Sequence, residues 1–511
     1  MAREILIDSA TPEIRIAVLE DDDLAELFID RPASRGVAGN IYKGRVSNVL
    51  PGMHAAFVDI GTGREAFLYV EDMGGGIDAG KFEETGTAAE DPAEPAAEGP
   101  ASPPARIEHL LQEGQEVVVQ VSRDAVSEKG PRLTTHVSLP GRFLVYLPGV
   151  PQVAVSRKID DPAERDRLKG LVRHLSRELL LPGGFIVRTV GEGGSSEGFF
   201  ADARYLAGVW DEVRRRAATL PAPALLHQEV GGVAKVLRDV LGDDVQQVLV
   251  EGEAIYQEAV EFVGKMQPAL VPKIRRYRGR EPIFEERGVQ PELDRALRPR
   301  VWLKSGGSIV INQTEALVAV DVNTGKYVGK RRLEETILRT NLEAAAEIVR
   351  QIRLRDLGGI IVIDFIDMEE QASKEDVLHA LQAEMRKDRS KSRMLQISEF
   401  GLVEITRQRT KRSLERALCR PCPVCRGSGR LKSPETILHE ILREVRKLGP
   451  LRERARVVAR VHPEVDEFLA GEGGSLLAAL KTPPWPRLEV QSDAGLRYEQ
   501  FTLTVHESPE S

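Results

Sequence analysis

The sequence predicts a multidomain chain of mixed α/β and all-β parts. Three observations lead there. Two short β-branched runs, each carrying an aspartate near its end, flank one long helical pattern. A stretch near the N-terminus alternates apolar and polar residues between glycines. The 511 residues, at about 150 per domain, exceed what one core holds.

The first β-branched run reads Leu317-Val318-Ala319-Val320-Asp321-Val322-Asn323, and the second reads Ile360-Ile361-Val362-Ile363-Asp364. Between them Leu333, Ile337, Leu342, Ala345, Ile348 and Ile352 fall on one helix face. Glu334, Glu335 and Glu343 lie early and Arg350, Arg353 and Arg355 late, which suits a helix dipole. Gly358 and Gly359 are expected to stop the helix. A strand, a helix and a strand make a βαβ unit with parallel neighbours. Ligand sites in such sheets gather beyond the carboxyl ends, where Asp321 and Asp364 are expected. A bound divalent metal is the simplest reason to place two carboxylates together. An isolated strand-end aspartate is as readily a cap, so the pairing makes a metal-dependent hydrolase the first hypothesis. Asp367 is either a further carboxylate behind the pair or an N-cap for the turn at Glu369-Glu370-Gln371.

Near the N-terminus, Ile41 to Val46, Ala55 to Gly61, Glu65 to Leu68 and Glu116 to Val121 read as short strands punctuated by glycine. Such strands suggest a small five-stranded barrel. Phe57 and Phe67 are a stacking platform for unpaired bases or ordinary core residues. Between Glu71 and Pro104 lie nine carboxylates and one lysine, a net of −8. The whole chain is also −8, so the remainder is formally neutral. Rich in Ala, Gly and Pro, this segment reads as a disordered acidic insertion at about 71–105.

A polar helix is expected near 162–180. The strand Phe185-Ile186-Val187 then ends in Arg188-Thr189 before the loop Gly191-Glu192-Gly193-Gly194-Ser195-Ser196. Arginine plus hydroxyl beside glycines suits a phosphate, but the loop lacks the lysine of a nucleoside-triphosphate P-loop. Basic runs at Lys273–Arg280, Arg386–Arg393 and Arg407–Arg412 are solvated faces or contacts to a phosphate backbone.

The three cysteines all lie in Cys419-Arg-Pro-Cys422-Pro-Val-Cys425, with glycines following. That spacing excludes a distributed disulfide framework. Cys422 and Cys425 supply two of the four ligands zinc prefers, and a second protomer would complete the set. The other readings are a redox pair, for which no thioredoxin-like strand precedes the motif, and an incidental thiol cluster. Cys419 is a third ligand or a free thiol. No apolar run reaches the length of a membrane span, and no signal peptide is evident, so a cytoplasmic location is expected.

Many segments match one family. They include Asn40-Ile41-Tyr42-Lys43-Gly44, Ala55-Ala56-Phe57-Val58-Asp59, Ile186-Val187-Arg188-Thr189, Ser305-Gly306-Gly307-Ser308-Ile309-Val310-Ile311, Asn341-Leu342-Glu343-Ala344-Ala345 and Leu354-Arg355-Asp356-Leu357-Gly358-Gly359. With these the chain resembles the bacterial ribonuclease E/G endoribonucleases, strongly from residue 3 to about 430. The resemblance implies an RNase H-like subdomain (1–35 and 234–296) interrupted by an S1 (OB-type) RNA-binding barrel (36–135) and a 5′ sensor (136–233). A DNase I-like catalytic subdomain (297–418), a zinc link (419–432) and a small C-terminal domain (433–511) follow.

Carried over by motif, Asp321 and Asp364 match magnesium ligands, and Asn323 matches an asparagine that orients the scissile phosphate or water. Arg188 and Thr189 match residues that grip a 5′-monophosphate, with Gly141 and Val145 lining that pocket. Phe57, Phe67 and Lys129 match RNA-contacting positions, and Cys422 and Cys425 match zinc ligands. The resemblance further implies Mg2+-dependent hydrolysis of single-stranded RNA in rRNA processing and mRNA decay. A 5′-monophosphate end would stimulate it, and the products would carry 5′-monophosphate and 3′-hydroxyl ends. Zinc shared between protomers would make a homodimer or a dimer of dimers. The acidic insertion departs from the pattern. So does the length of Asp388-Arg389-Ser390-Lys391-Ser392-Arg393, which leaves Lys391 or Arg393 to complete the sensor. A layout without a long tail resembles the ribonuclease G branch, so recruitment of partners by such a tail is not expected. The rival readings are a non-catalytic RNA-binding protein and a phosphodiesterase for DNA or small phosphoesters.

Overall fold

Val318, Val320 and Val322 are buried along Leu317–Asn323, while the residues between them are not. A two-residue period of this kind commits one face of a strand to a core and leaves the other free. In the computed structural model, this strand is central in a six-stranded sheet. The structure describes residues 2–32, 35–73, 106–125, 130–325, 333–395, 398, 401–409, 412–448, 456–471 and 487–506. The chain divides into two compact units, Met1–Ala417 and Leu418–Ser511.

The central sheet of the first unit runs in the order Arg300–Trp302, Ser308–Gln313, Leu317–Asn323, Gly359–Asp364, Leu402–Arg407, Ser392–Met394. Its central pair is parallel, as the βαβ pattern predicts, and the other pairings are antiparallel. The helices Leu333–Leu354 and Gln371–Met385 both pack on one face. Ala345, Ile348, Ile352, Val377 and Leu381 meet Val320, Ile363 and Val403 there. Asp321, Ile360 and Asp364 are exposed on the opposite face.

The first helix does not run to the glycines. It ends at Leu354, and Asp356 makes the turn with a left-handed φ of 48°. The Leu357 N–H closes back on the Ile352 carbonyl at 3.0 Å. A non-glycine residue is held there because Arg407 fixes the Asp356 carboxylate at 2.8 Å. The late arginines of this helix also do more than complement its dipole. Arg353, buried, binds Glu20 and Glu26 at 2.8 and 2.9 Å, and Arg350 reaches Glu292 and the Leu24 carbonyl.

Glu20 and Glu26 belong to a five-stranded sheet ordered Asp23–Asp30, Ile14–Glu20, Arg3–Asp8, Val245–Glu251, Ile274–Arg276. The first three strands form an antiparallel meander and the last two run parallel to Arg3–Asp8. Residues 31–244 are inserted between its third and fourth strands.

Within that insertion, Ile41–Leu50, Ala55–Asp59, Ala66–Tyr69, Arg132–Thr134 and Glu116–Arg123 form a closed five-stranded barrel. Closure works because the ten-residue first strand has two partners. Its start pairs with Glu116–Gln120 and its end with Ala55–Asp59. Val46, Val58, Leu68, Val119 and Leu133 fill the interior. Of the acidic insertion, Asp72 is tied to Arg132 at 2.8 Å, while 74–105 lie outside the described residues. A further sheet, Val153–Val155, Gly183–Val187, Leu144–Pro148 and Leu139–Pro140, carries the helices Pro162–Glu178 and Ser196–Thr219. In the second unit the helix Pro434–Lys447, capped by Ser433, packs on the strands Arg487–Ser492, Arg456–Val461 and Thr502–His506. No helix among the described residues is long and apolar enough to cross a membrane.

The Arg353 contacts predict an acid-sensitive tie between the five-stranded sheet and the helix packed on the central sheet. Burial opposes the Glu20 charge, yet Arg353 and Arg3 hold its carboxyl below the usual range. A depressed native value contributes stability above the unfolded value, about 4.3. That stability is lost as pH falls through the lower native value. Glu20→Gln should therefore cost about 3 kcal/mol near neutral pH. In urea unfolding at a series of pH values, the gap from wild type should close below about pH 4.

Candidate functional site

Asp321 and Asp364 are register partners across the parallel pair. Register partners share a face, and adjacent strands lie about 4.8 Å apart, so both carboxylates project together from the open side. Asp321 lies inside its strand, two residues before the end. The pair therefore stands on the sheet surface and not beyond the strand tips. Asn323 is next along the same face, and its Nδ2 donates to Asp321 Oδ2 at 2.7 Å. Gly307 allows the neighbouring hairpin to lie close, since a Cβ there would stand 2.8 Å from the Asn323 carbonyl oxygen.

The loop after Asp364 is held from within. Asn341 is fully buried on the connecting helix; its Nδ2 donates to the Ile366 carbonyl at 2.8 Å, and its Oδ1 accepts from the Ile366 N–H at 3.2 Å. Asp367 is exposed and caps no helix among the described residues. The N-cap of the following helix is Glu370, with no side-chain cap bond. The Glu370 N–H instead donates to Glu334 at 2.9 Å.

These groups suit magnesium, which takes one or two carboxylates and fills its remaining positions with water and phosphate oxygens. Both carboxylates are exposed, and an amide fixes one of them. Among the described residues no three His, Cys, Asp or Glu side chains gather into a closed cage.

The Arg188 region is also built on a buried carboxylate. Asp202 is fully buried and accepts from the N–H groups of Arg142, Phe143 and Leu144 at 3.0, 2.8 and 2.9 Å. Burial pushes its carboxyl up, against those three bonds. Gly141 is required beside it, because a Cβ would come 2.4 Å from the carboxylate. The Gly141 carbonyl accepts from Arg188 Nη1 at 2.6 Å, and Asp239 accepts from the same nitrogen at 2.7 Å. Arg188 Nε and Nη2 make no hydrogen bond among the described residues. The exposed Thr189 hydroxyl lies 2.9 Å from that of Ser156. Val145 is buried with Leu147 and Ile186. Within the segment 388–393, Arg389 reaches this place, its Nη1 donating to the Asp239 carbonyl at 3.1 Å. Arg393 lies exposed on the edge strand of the central sheet.

On the barrel, Phe57 and Phe67 are register partners with ring centroids 4.8 Å apart. Ala56, Val58, Ala66 and Leu68 take the interior, so both phenylalanines face outward, half-buried. Lys129 lies outside the described residues. Some cations of the basic runs are taken up by internal ties. Lys273 donates to three carbonyls, and Arg407 is buried between Asp388 and Asp356.

In the second unit, Cys422 is exposed and Cys425 half-buried. The N–H groups of Gly429 and Gly427 hold the Cys425 thiol below its usual value. Both glycines have positive φ, 68° and 94°, which turns those groups towards the sulfur. Cys419 is exposed and joins no group of three metal-binding side chains among the described residues.

A family model described as the Ribonuclease E/G family matches residues 138–410. The chain is 40% identical to ribonuclease G of Escherichia coli K12 over 507 residues, which is 99% of this chain and 100% of that protein. It is also 40% identical to ribonuclease G of Haemophilus influenzae, over 99% of each chain. Ribonuclease E of E. coli K12 is 35% identical across 94% of this chain and 44% of its own length. These relatives define an endoribonuclease. The chain belongs to the ribonuclease E/G family.

Asn341, Asp202, Asp239 and Arg389 shape these sites without having been marked as candidates from the sequence. Asn341 left a signal as a poor helix former in the middle of a helix, and Arg389 lay within a basic run. Asn341→Ala should leave the Ile366 N–H and carbonyl unpaired at a cost of about 2 kcal/mol. RNA cleavage should fall mainly in kcat, while circular dichroism at working temperature stays that of the wild type.

Proposed function

We propose that this endoribonuclease hydrolyses single-stranded RNA with magnesium held by Asp321 and Asp364, and that a 5′-monophosphate end accelerates it. The register pairing of those two aspartates on the open sheet face carries the reading. When bound, magnesium neutralises phosphate oxygens and lowers the pKa of water. Asn323 holds the Asp321 carboxylate and keeps its amide oxygen for the phosphate or the attacking water. In-line attack by water leaves a 3′-hydroxyl and a 5′-monophosphate.

Arg188 is suited to a terminal phosphate because Asp239 and the Gly141 carbonyl occupy only one of its nitrogens. Thr189 adds an exposed hydroxyl, and Gly141 and Val145 shape the wall. The outward pair Phe57 and Phe67, with Lys129, would take unpaired bases on an S1-type barrel. The meander followed by two parallel strands supports an RNase H-like reading of the first sheet, and the central sheet supports a DNase I-like one. Cys422 and Cys425 form half of a tetrahedral zinc site, which a second protomer would complete, giving a dimer or a dimer of dimers. The cellular role is rRNA processing and mRNA decay in the cytoplasm.

Asp321→Asn should lower Mg2+-dependent cleavage by more than about 100-fold, beyond the loss typical of groups behind the ligands. Cleavage at the wild-type rate would overturn the metal site. Arg188→Ala should erase the preference for 5′-monophosphate over 5′-triphosphate RNA while leaving the triphosphate rate intact. Replacing both Cys422 and Cys425 with serine should release zinc and shift sedimentation from dimer to monomer.

A further inference from the structure

Arg300–Trp302 is an edge strand of the central sheet, and pairing carries it towards the carboxylates. Arg300 pairs with Val310, Val310 with Asp321, and Asp321 with Asp364. One row across the sheet therefore holds Arg300 and both aspartates on the same face. Trp302 pairs with Ser308 and Ser308 with Asn323, which makes the adjoining row. Val301 points the other way and packs against the core. Two strand steps put the backbones of Arg300 and Trp302 about 10 Å from those of Asp321 and Asn323.

Trp302 is 68% exposed, the most exposed of the large apolar side chains after Leu180 among the described residues. Its ring is not left to move freely. The Arg300 guanidinium lies 5.6 Å from the ring centroid, and Glu343 pins the hairpin turn by accepting from the Lys304 and Ser305 N–H groups. Arg300 has no carboxylate partner among the described residues. An exposed indole with an unneutralised cation beside it has the two components that hold single-stranded nucleic acid, a stacking surface and a phosphate contact.

We propose that Trp302 and Arg300 form a nucleotide subsite of the cleavage face. An unpaired base one or two nucleotides from the scissile phosphate stacks on the indole, and Arg300 contacts the adjoining phosphate. The proposal rests on Asp321 and Asp364 marking the point of cleavage.

The test uses the full-length protein and RNA oligonucleotides with one cleavage site. Each carries either a normal nucleotide or an abasic one at the two positions on either side of the bond. One abasic position should lower wild-type kcat/KM about tenfold, the size of one base–aromatic stack. Trp302→Ala should show the same loss on intact RNA, mostly in KM, and no further loss on that abasic substrate. Trp302→Phe should recover most of the wild-type value, and Arg300→Ala should flatten the dependence on salt. Full additivity of the abasic and Trp302→Ala losses, or wild-type kinetics for Trp302→Ala, would overturn the subsite. So would a changed sedimentation coefficient for Trp302→Ala, which would mean that the indole is covered by another copy of the chain. Asp321→Asn serves as the separate control. If it cleaves normally, the site beneath the proposal is misplaced; if it is inactive while Trp302→Ala behaves as wild type, only the subsite fails.

Discussion

The parallel register of Leu317–Asn323 against Gly359–Asp364 is the constraint on which the candidate site depends. A slip of one residue would turn Asp364 into the core and bring Ile363 to the surface. Burying that carboxylate without a cation costs several kcal/mol, and exposing Ile363 forfeits its packing with Val320 and Val403. Core and site thus specify each other. Apolar residues of one parity seat two helices, and the opposite parity is left for Asp321, Asn323 and Asp364. The connecting helix reinforces this register from three points. Asn341 grips the loop beyond Asp364, Asp356 turns the chain back before Gly359, and Arg353 anchors the whole helix to Glu20 and Glu26.

The Arg188 pocket and the aspartate strands are joined by polar contacts within the first unit. Asp239 meets Arg188 through its carboxylate and Arg389 through its carbonyl. Burial opposes its charge, yet Arg188 and Arg238 hold that carboxyl below the usual range. Asp388, adjacent to Arg389, binds Arg407, which also holds Asp356. Arg407 lies on the strand that pairs with Gly359–Asp364. A phosphate taking the free Nε and Nη2 of Arg188 would lie beside Asp239, whose carbonyl meets the segment that braces the central sheet. The contiguity is structural; a coupling free energy between the two ends is a separate quantity.

Periodicity made much of this legible in the sequence. The βαβ unit, the helix between the aspartates and the small barrel follow from apolar spacing, and the pairing of Asp321 with Asp364 follows from the βαβ unit. The helix terminus did not follow, because an aspartate at positive φ is stable only with Arg407, which lies 51 residues further on. The orientation of Phe57 and Phe67 was open because both parities of their strands carry apolar residues, and the small Ala56 and Ala66 fill the interior. Asp202 was not singled out in the sequence. Its burial depends on three N–H groups about 60 residues away and on the space left by Gly141. Arg389 reaches the Arg188 pocket through a contact across 150 residues, which no local pattern encodes.

Charge distribution narrows how such a chain holds RNA. Its net charge of −8 is matched by the acidic stretch alone, so the rest is formally neutral. Several cations that look available in the sequence are occupied in the structure: Lys273 by carbonyls, Arg276 by Glu253, Arg407 by two aspartates. Outside the acidic stretch the chain therefore has no formal net positive charge to draw in a polyanion. The candidate sites offer local groups at defined places. They are the half-engaged guanidinium of Arg188, the outward phenylalanine pair and the Arg300–Trp302 edge. Stacking and single-phosphate contacts favour strands whose bases are unpaired, because a duplex offers no free base face.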